Sequence, residues 1–247
     1  MSTHLNHIVI CGYDPGARML LKEITKELDG NNLEMVIFAK GERPADIPPE
    51  FIWISGDPTK ESELDKVRIP HAMAVILVGS RTLLPQQADA TTILTAFTIR
   101  SYLEHHPLLV KRARPLYIVA EILDAENVEH AKTAGVDEVI ETTRLGFSML
   151  THAVSTPGSA AILGKVAITG AHSLYLGVTP EEFQMPMTFM ETVKKVKESY
   201  NVLIIGIRRG GDADSEINPP KETVVDAETE LLYLAERKVL PLPPVVR

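Results

Sequence analysis

One cysteine, Cys11, is all this chain carries, so it has no internal disulfide to offer, and a reducing cytoplasm is the compartment that suits it. Cys11 sits inside an apolar run, where a free thiol acts as a small packed hydrophobe rather than a nucleophile. Positive charge is also short, with 25 Lys and Arg against 33 Asp and Glu and a net charge of −8. Binding to a nucleic-acid backbone needs a basic footprint, so a nucleic-acid partner is not expected. No apolar stretch approaches the roughly 20 residues that span a bilayer. The longest, around Ala72 to Val78 and Val202 to Ile207, are strand-sized, and the opening MSTHLNH lacks the apolar core of a secretory signal. The chain reads as soluble as given, and equally as the cytosolic part of a longer membrane protein. Catalytic patterns are missing as well. No Ser-His-Asp order sits in a nucleophile-elbow context, and no His pair has metal-binding spacing on a helix. His105-His106 reads as a solvated loop cluster beside Pro107.

What is present is a regular alternation. With 247 residues, 45% of them hydrophobic, there is enough chain for one large domain, or a medium and a small one, with a proper core. Short apolar runs at His7–Cys11, Met35–Ala39, Phe51–Ser55, Ala74–Val78, Leu116–Ala120 and Glu138–Ile140 predict six strands. Between them, helical spacing appears over Ala17–Leu28, Lys60–Val67, Asp89–Tyr102 and Val128–Ala134, with Ile93, Leu94, Phe97 and Tyr102 on one side of the third helix. Such alternation favours a Rossmann-like, doubly wound parallel sheet. Pro107 through Pro115, with Lys111, Arg112 and Arg114, reads as a basic surface loop. After Ile140 the character changes. Leu145–Val154 is an amphipathic helix, stopped near Thr156-Pro157-Gly158. A small α+β lobe then starts near Ser159, with strands at His172–Leu176, Val202–Arg208 and Leu231–Leu234 and a helix at Phe189–Glu198. The turn at Arg209-Gly210-Gly211-Asp212 has the look of a hairpin, and Leu240-Pro-Leu-Pro-Pro that of a polyproline tail. The expected division is 1–142, a linking helix at 143–158, and 159–247.

Sheets of this type bind ligands beyond the C-terminal ends of their strands. The first such turn, Cys11-Gly12-Tyr13-Asp14-Pro15-Gly16-Ala17, is a degraded G-x-G-x-x-G. Gly12 and Ala17 hold the outer positions, but Asp14 stands where the middle glycine lets backbone approach a pyrophosphate. At the end of strand two, where an acid would accept ribose hydroxyls, there is Lys40. A ligand is expected over Gly12, Asp14 and Gly16, with Gly56, Asp57 and Ser80 lining the pocket and Asp57 recognising adenine or ribose. These residues leave three occupants open: NAD, a mononucleotide or other small ligand, or none. NAD is expected to bind worse than AMP, ADP or ATP. Glu121, Asp124 and Glu126 gather near the mouth of strand five, where they either hold a hard, divalent cation or face water.

The order HIVICGYDPGA, ISGDPTKESEL, AVILVGS, DATTILTAFTIRSY, YIVAEILDAENVEHAKTAGVDEVI resembles the RCK (regulator of potassium conductance) domains of prokaryotic potassium channels. Related domains serve Trk- and Ktr-type potassium uptake systems. The resemblance continues through Leu145–Val154, similar to the family's crossover helix, and Ile217-Asn218-Pro219-Pro220 with Ala227 to Leu234, similar to its C-terminal lobe. It implies a cytosolic ligand sensor at the inner face of the cell membrane. Such domains form homodimers that assemble into an octameric ring, which pulls on a channel pore domain in the same precursor or in a separate subunit. The alternatives are a free-standing regulatory subunit of a Trk- or Ktr-type transporter and a nucleotide-dependent oxidoreductase. Uptake-type subunits usually keep an intact glycine fingerprint, so the channel branch fits better. A calcium-activated member of the family has a carboxylate after strand four and two acids flanking strand five. Here Val78 and Leu123 take two of those places, leaving Glu121.

Overall fold

The computed structural model describes residues 6–28, 33–106, 115–167, 172–183, 185–209 and 215–242. They form two compact units, residues 1–155 and 156–247, so the linking helix goes with the first unit.

In the first unit six parallel strands stand in the order β3-β2-β1-β4-β5-β6. They are β1 (Ile8–Cys11), β2 (Met35–Ala39), β3 (Phe51–Ser55), β4 (Ala74–Leu77), β5 (Tyr117–Glu121) and β6 (Glu138–Ile140). β1 and β2 are buried at every position, as strands covered on both faces must be. Because β1 has β2 on one side and β4 on the other, the strand order reverses there, which opens a crevice at its C-terminal end. The helices are α1 (Arg18–Leu28), α2 (Glu61–Leu64), α3 (Pro85–His105), α4 (Val128–Thr133) and α5 (Thr142–Ser155), and a 3-10 turn at Pro15–Ala17 leads into α1.

α3 corrects the sequence reading in two ways. It begins at Pro85 rather than Asp89, since proline is accepted in the first turn of a helix, and it runs to His105. His105 is therefore helical and not in a loop; Ser101 Oγ lies 3.3 Å from its Nδ1, and the His106 ring packs 4.8 Å from Tyr102. Its buried face is Ala88, Asp89, Thr92, Thr95, Ala96, Thr98, Ile99 and Tyr102, whereas Leu94 and Phe97 point outward. The threonine hydroxyls cost little there because Thr95 and Thr98 each donate to the carbonyl one turn back, both at 2.8 Å. Arg100 fastens the helix to its neighbours, donating to Gly135 O and Leu116 O at 2.8 Å each and to Asp137 at 2.7 Å. The basic loop lies almost wholly at 107–114, outside the described residues.

The second unit opens with α6 (Ser159–Ala167), a helix the sequence reading did not place. Its AAILGKVA run is short and nearly all apolar, so it carries no amphipathic period. A four-stranded antiparallel sheet follows in the order β10-β9-β12-β7. Its strands are β7 (Ser173–Val178), β9 (Leu203–Arg208), β10 (Ser215–Ile217) and β12 (Glu230–Ala235), and β8 (Met187–Thr188) pairs separately with β11 (Val224–Val225). β9 and β10 pair as the two arms of the expected hairpin, and residues 210–214 between them lie outside the described residues. α7 (Phe189–Tyr200) starts in a full capping box, Thr188 with Glu191, and ends at Asn201 in the left-handed region. The start of the proline-rich tail is not free: Leu240 is buried, and Pro241 O accepts from Val178 N at 2.9 Å.

Candidate functional site

At the switch point a crevice of about 300 Å³ opens between the ends of β1 to β4 and the first turns of α3. Of the eight residues expected from the sequence, Gly12, Asp14, Lys40, Asp57 and Ser80 line it, and Gly16, Ala17 and Gly56 do not. Gly12 is demanded by the backbone. Its φ is +85°, and a Cβ there would stand 2.9 Å from Val78 O, just past the end of β4. Gly56 is a packing glycine, since a Cβ on it would lie 2.3 Å from the Phe38 ring and 2.7 Å from a Glu63 oxygen. Ala17 is buried beneath the turn.

Asp14 is the centre of the turn. One carboxylate oxygen accepts from Gly16 N at 2.7 Å; the other accepts from Arg81 N at 3.0 Å and Ser80 Oγ at 3.2 Å. Burial by itself pushes this carboxyl up, but the amides of Gly16 and Arg81 and the Ser80 hydroxyl outweigh it and hold it below the ordinary carboxylate value. Asp57, at the end of β3, is held in the same direction. Burial raises it, while Thr59 and the Lys40 ammonium lower it further than burial lifts it. Its Oδ1 accepts from Thr59 Oγ1 at 2.7 Å and Thr59 N at 3.1 Å, and its Oδ2 faces Lys40 Nζ at 3.0 Å and Lys60 Nζ at 3.9 Å. Both carboxylates stay ionised, which makes them poor proton acceptors, and Asp57 keeps acceptor capacity that a ligand could use. Cys11, also in the lining, is pushed up to about 12 by burial, so it is a neutral thiol.

Sequence reasoning missed the α3 wall, which presents Thr91, Thr92 and Thr95 to the crevice. The signal was available in TTILT, whose first, second and fifth residues fall on one side of a helix. It also missed Asp89, fully buried, which accepts from Leu123 N, Asp124 N and Asn127 Nδ2, all at 2.9 Å, and so shapes the β5–α4 loop.

The three acids near β5 do not converge. Glu121 pairs with Arg81 and accepts from Thr142 Oγ1 at 2.6 Å, leaving its other oxygen buried without a partner. Asp124 caps the following turn through Glu126 N at 3.1 Å and accepts from Gln86 at 3.1 Å. Among the described residues no three His, Cys, Asp or Glu side chains stand close enough to hold a metal ion. No helix among them is long and apolar enough to cross a membrane.

Comparison with known proteins gives this site a context. Residues 3–118 match the family model of the calcium-activated potassium channel slowpoke-like RCK domain. The calcium-gated potassium channel TvoK of Thermoplasma volcanium is 26% identical over 241 residues, which cover 94% of this chain and 63% of that protein. The probable ion channel POLLUX of Arabidopsis thaliana is 26% identical over 250 residues, covering 94% of this chain and 28% of its own length. The chain thus spans less than two thirds of either relative. The human SLO3 gating ring shares the fold, with a TM-score of 0.71 at 17% identity over 94% of this chain and 44% of that one. The parallel sheet and the glycine turn of residues 3–118 thus lie in a segment that is similar in sequence to the slowpoke-like RCK domain.

Proposed function

We propose that this chain is the ligand-sensing regulatory part of a potassium channel, working in a cytosolic gating ring at the inner face of the membrane. The observation that carries this reading is the match to TvoK, which runs through 94% of the chain and so through both of its units. The ligand enters the crevice at the switch point, and an adenine mononucleotide (AMP, ADP or ATP) suits it better than NAD. Lys40 at the end of β2 offers no acceptor for ribose hydroxyls, while Asp57 and the α3 threonines supply polar contacts. A divalent cation is the weaker candidate, because Arg81 already neutralises Glu121. The chain is a sensor and not an enzyme, a reading supported by two carboxylates held below their ordinary pKa and a neutral thiol in the crevice.

Two copies pair through α5, whose residues are none of them buried within the chain, and pairs join into an octameric ring through further exposed faces such as Leu94 and Phe97 of α3. The ring acts on a pore domain in the membrane, carried in the same precursor or in a separate subunit. A ligand that prefers one ring geometry shifts the channel's open probability by its differential affinity. The test is to replace the matching region of TvoK with this chain and measure potassium flux into liposomes while AMP, ADP, ATP, NAD and calcium are added in turn. Flux that changes with an adenine mononucleotide is expected. Flux that is insensitive to every one of them sinks the reading.

A further inference from the structure

Asp14 lies where this fold brings backbone amides closest to a bound phosphate, yet those donors are already taken. The Gly16 amide, the Arg81 amide and the Ser80 hydroxyl all converge on its carboxylate, at 2.7, 3.0 and 3.2 Å. That is the donor set an anion would use at such a turn, drawn from two different loops. Asp14 is only 7% exposed, so the carboxylate is built into the crevice wall. At the opposite end an ammonium lines the crevice. Lys40 Nζ reaches Asp57 at 3.0 Å, with Lys60 behind it at 3.9 Å and the Glu63 carboxylate on the Asp57 amide at 2.9 Å. The crevice thus presents a carboxylate at the glycine turn and the Lys40 ammonium at the end of β2.

We propose that Asp14 is a built-in anion that seals the glycine turn against phosphate, so that the crevice takes an adenosine-type ligand whose phosphate, where it has one, points toward Lys40. This rests on the reading of the crevice as an adenine-ligand site and fixes the orientation of that ligand. A phosphate on the turn would meet a like charge at contact and would find its donors occupied. A diphosphate bridge as in NAD has to cross that turn, which explains the preference for a mononucleotide. Asp14 is then a specificity residue, excluding one pose by repulsion rather than rewarding another.

The test follows the Gly16 and Arg81 amide resonances of the whole chain while inorganic phosphate, adenosine and AMP are titrated separately. In the native sequence, phosphate is expected to move neither amide, and AMP to bind without moving them. Lys40→Ala should weaken AMP about tenfold more than it weakens adenosine, a difference of one decade in Kd. Asp14→Ala should gain phosphate binding that shifts both amides. Movement of the two amides by phosphate or AMP in the native sequence overturns the proposal, as does an Asp14→Ala chain that folds and gains no phosphate affinity. If Asp14→Ala does not fold, the native-sequence titration decides alone. If neither adenosine nor AMP binds, the ligand reading fails, and the phosphate titrations still judge the role of Asp14.

Discussion

Asp14 and Asp57 show how far single residues can be read in advance. That a carboxylate at the turn opposes a pyrophosphate follows from charge alone. Which donors satisfy it does not, because Ser80 and Arg81 come from a loop more than sixty residues away. Gly56 shows the converse. A glycine in sequence announces a close approach without saying of what, and here it is the Phe38 ring and not a ligand. The two aspartates also set a pH dependence. Each has a folded pKa below the ordinary value near 3.9, so each contributes stability that is fully present above that value. That contribution drains away as pH falls from there through the lower folded pKa. Chemical denaturation followed from pH 7 into the acid range should therefore show stability falling below about pH 4. Asp14→Asn and Asp57→Asn should each be less stable at neutral pH and lose less on acidification. An unchanged acid slope in both variants would mean that these hydrogen bonds are not made in solution.

α3 is the element in which sequence and structure part most clearly. Strands β1 to β6 were legible because each is a short apolar run that ends at or near a glycine or an acid. In α3 apolarity is only a partial guide: Ile93 and Tyr102 pack on the core, but Leu94 and Phe97 face out, and most of the buried side is alanine and threonine. Small side chains bring the helix close to the sheet, and the hydroxyls are absorbed by carbonyls one turn earlier. A hydrophobicity pattern counts neither effect. The helix also carries Asp89, whose carboxylate holds three donors of the loop after β5. Asp89→Ala would strand the Leu123 and Asp124 amides, and we expect a loss of about 2–4 kcal/mol in unfolding free energy. Hydrogen exchange should speed up at those two amides first, and Asp89→Asn should recover part of the loss. If denaturant midpoints for Asp89→Ala match the native sequence, the loop has another source of order.

For the molecule as a whole, the sequence changes character after Ile140 whereas the compact units divide after Ser155, and α6 was missed because a short, mostly apolar nonamer offers little period to read. What sequence and a single chain share is a helix with no buried residue among those described. In α5 the expected face was Leu145, Met149, Leu150 and Val154, and Leu145, Leu150 and Val154 are 56%, 65% and 85% exposed. Phe147, 65% exposed, lies three residues before Leu150, which itself lies four before Val154, so the three make one stripe. Isolated exposed leucines are ordinary on protein surfaces, but a contiguous stripe on one helix marks an interaction face. A second copy is the partner we expect, with an interface above the roughly 1,600 Å² of standard complexes, since each copy would bring the same stripe to a twofold axis. Leu150→Asp places an unpaired carboxylate in that contact twice. At about 3–5 kcal/mol for a buried uncompensated charge, it should raise the dimer dissociation constant about a thousandfold or more. Because Leu150 is exposed within its own chain, the variant should keep its fold, and circular dichroism at matched concentration would check that. Sedimentation velocity then separates the outcomes. The native sequence should run as a dimer at micromolar concentration and the variant as a monomer, whereas a native chain still monomeric at tens of micromolar would remove α5 as the pairing element.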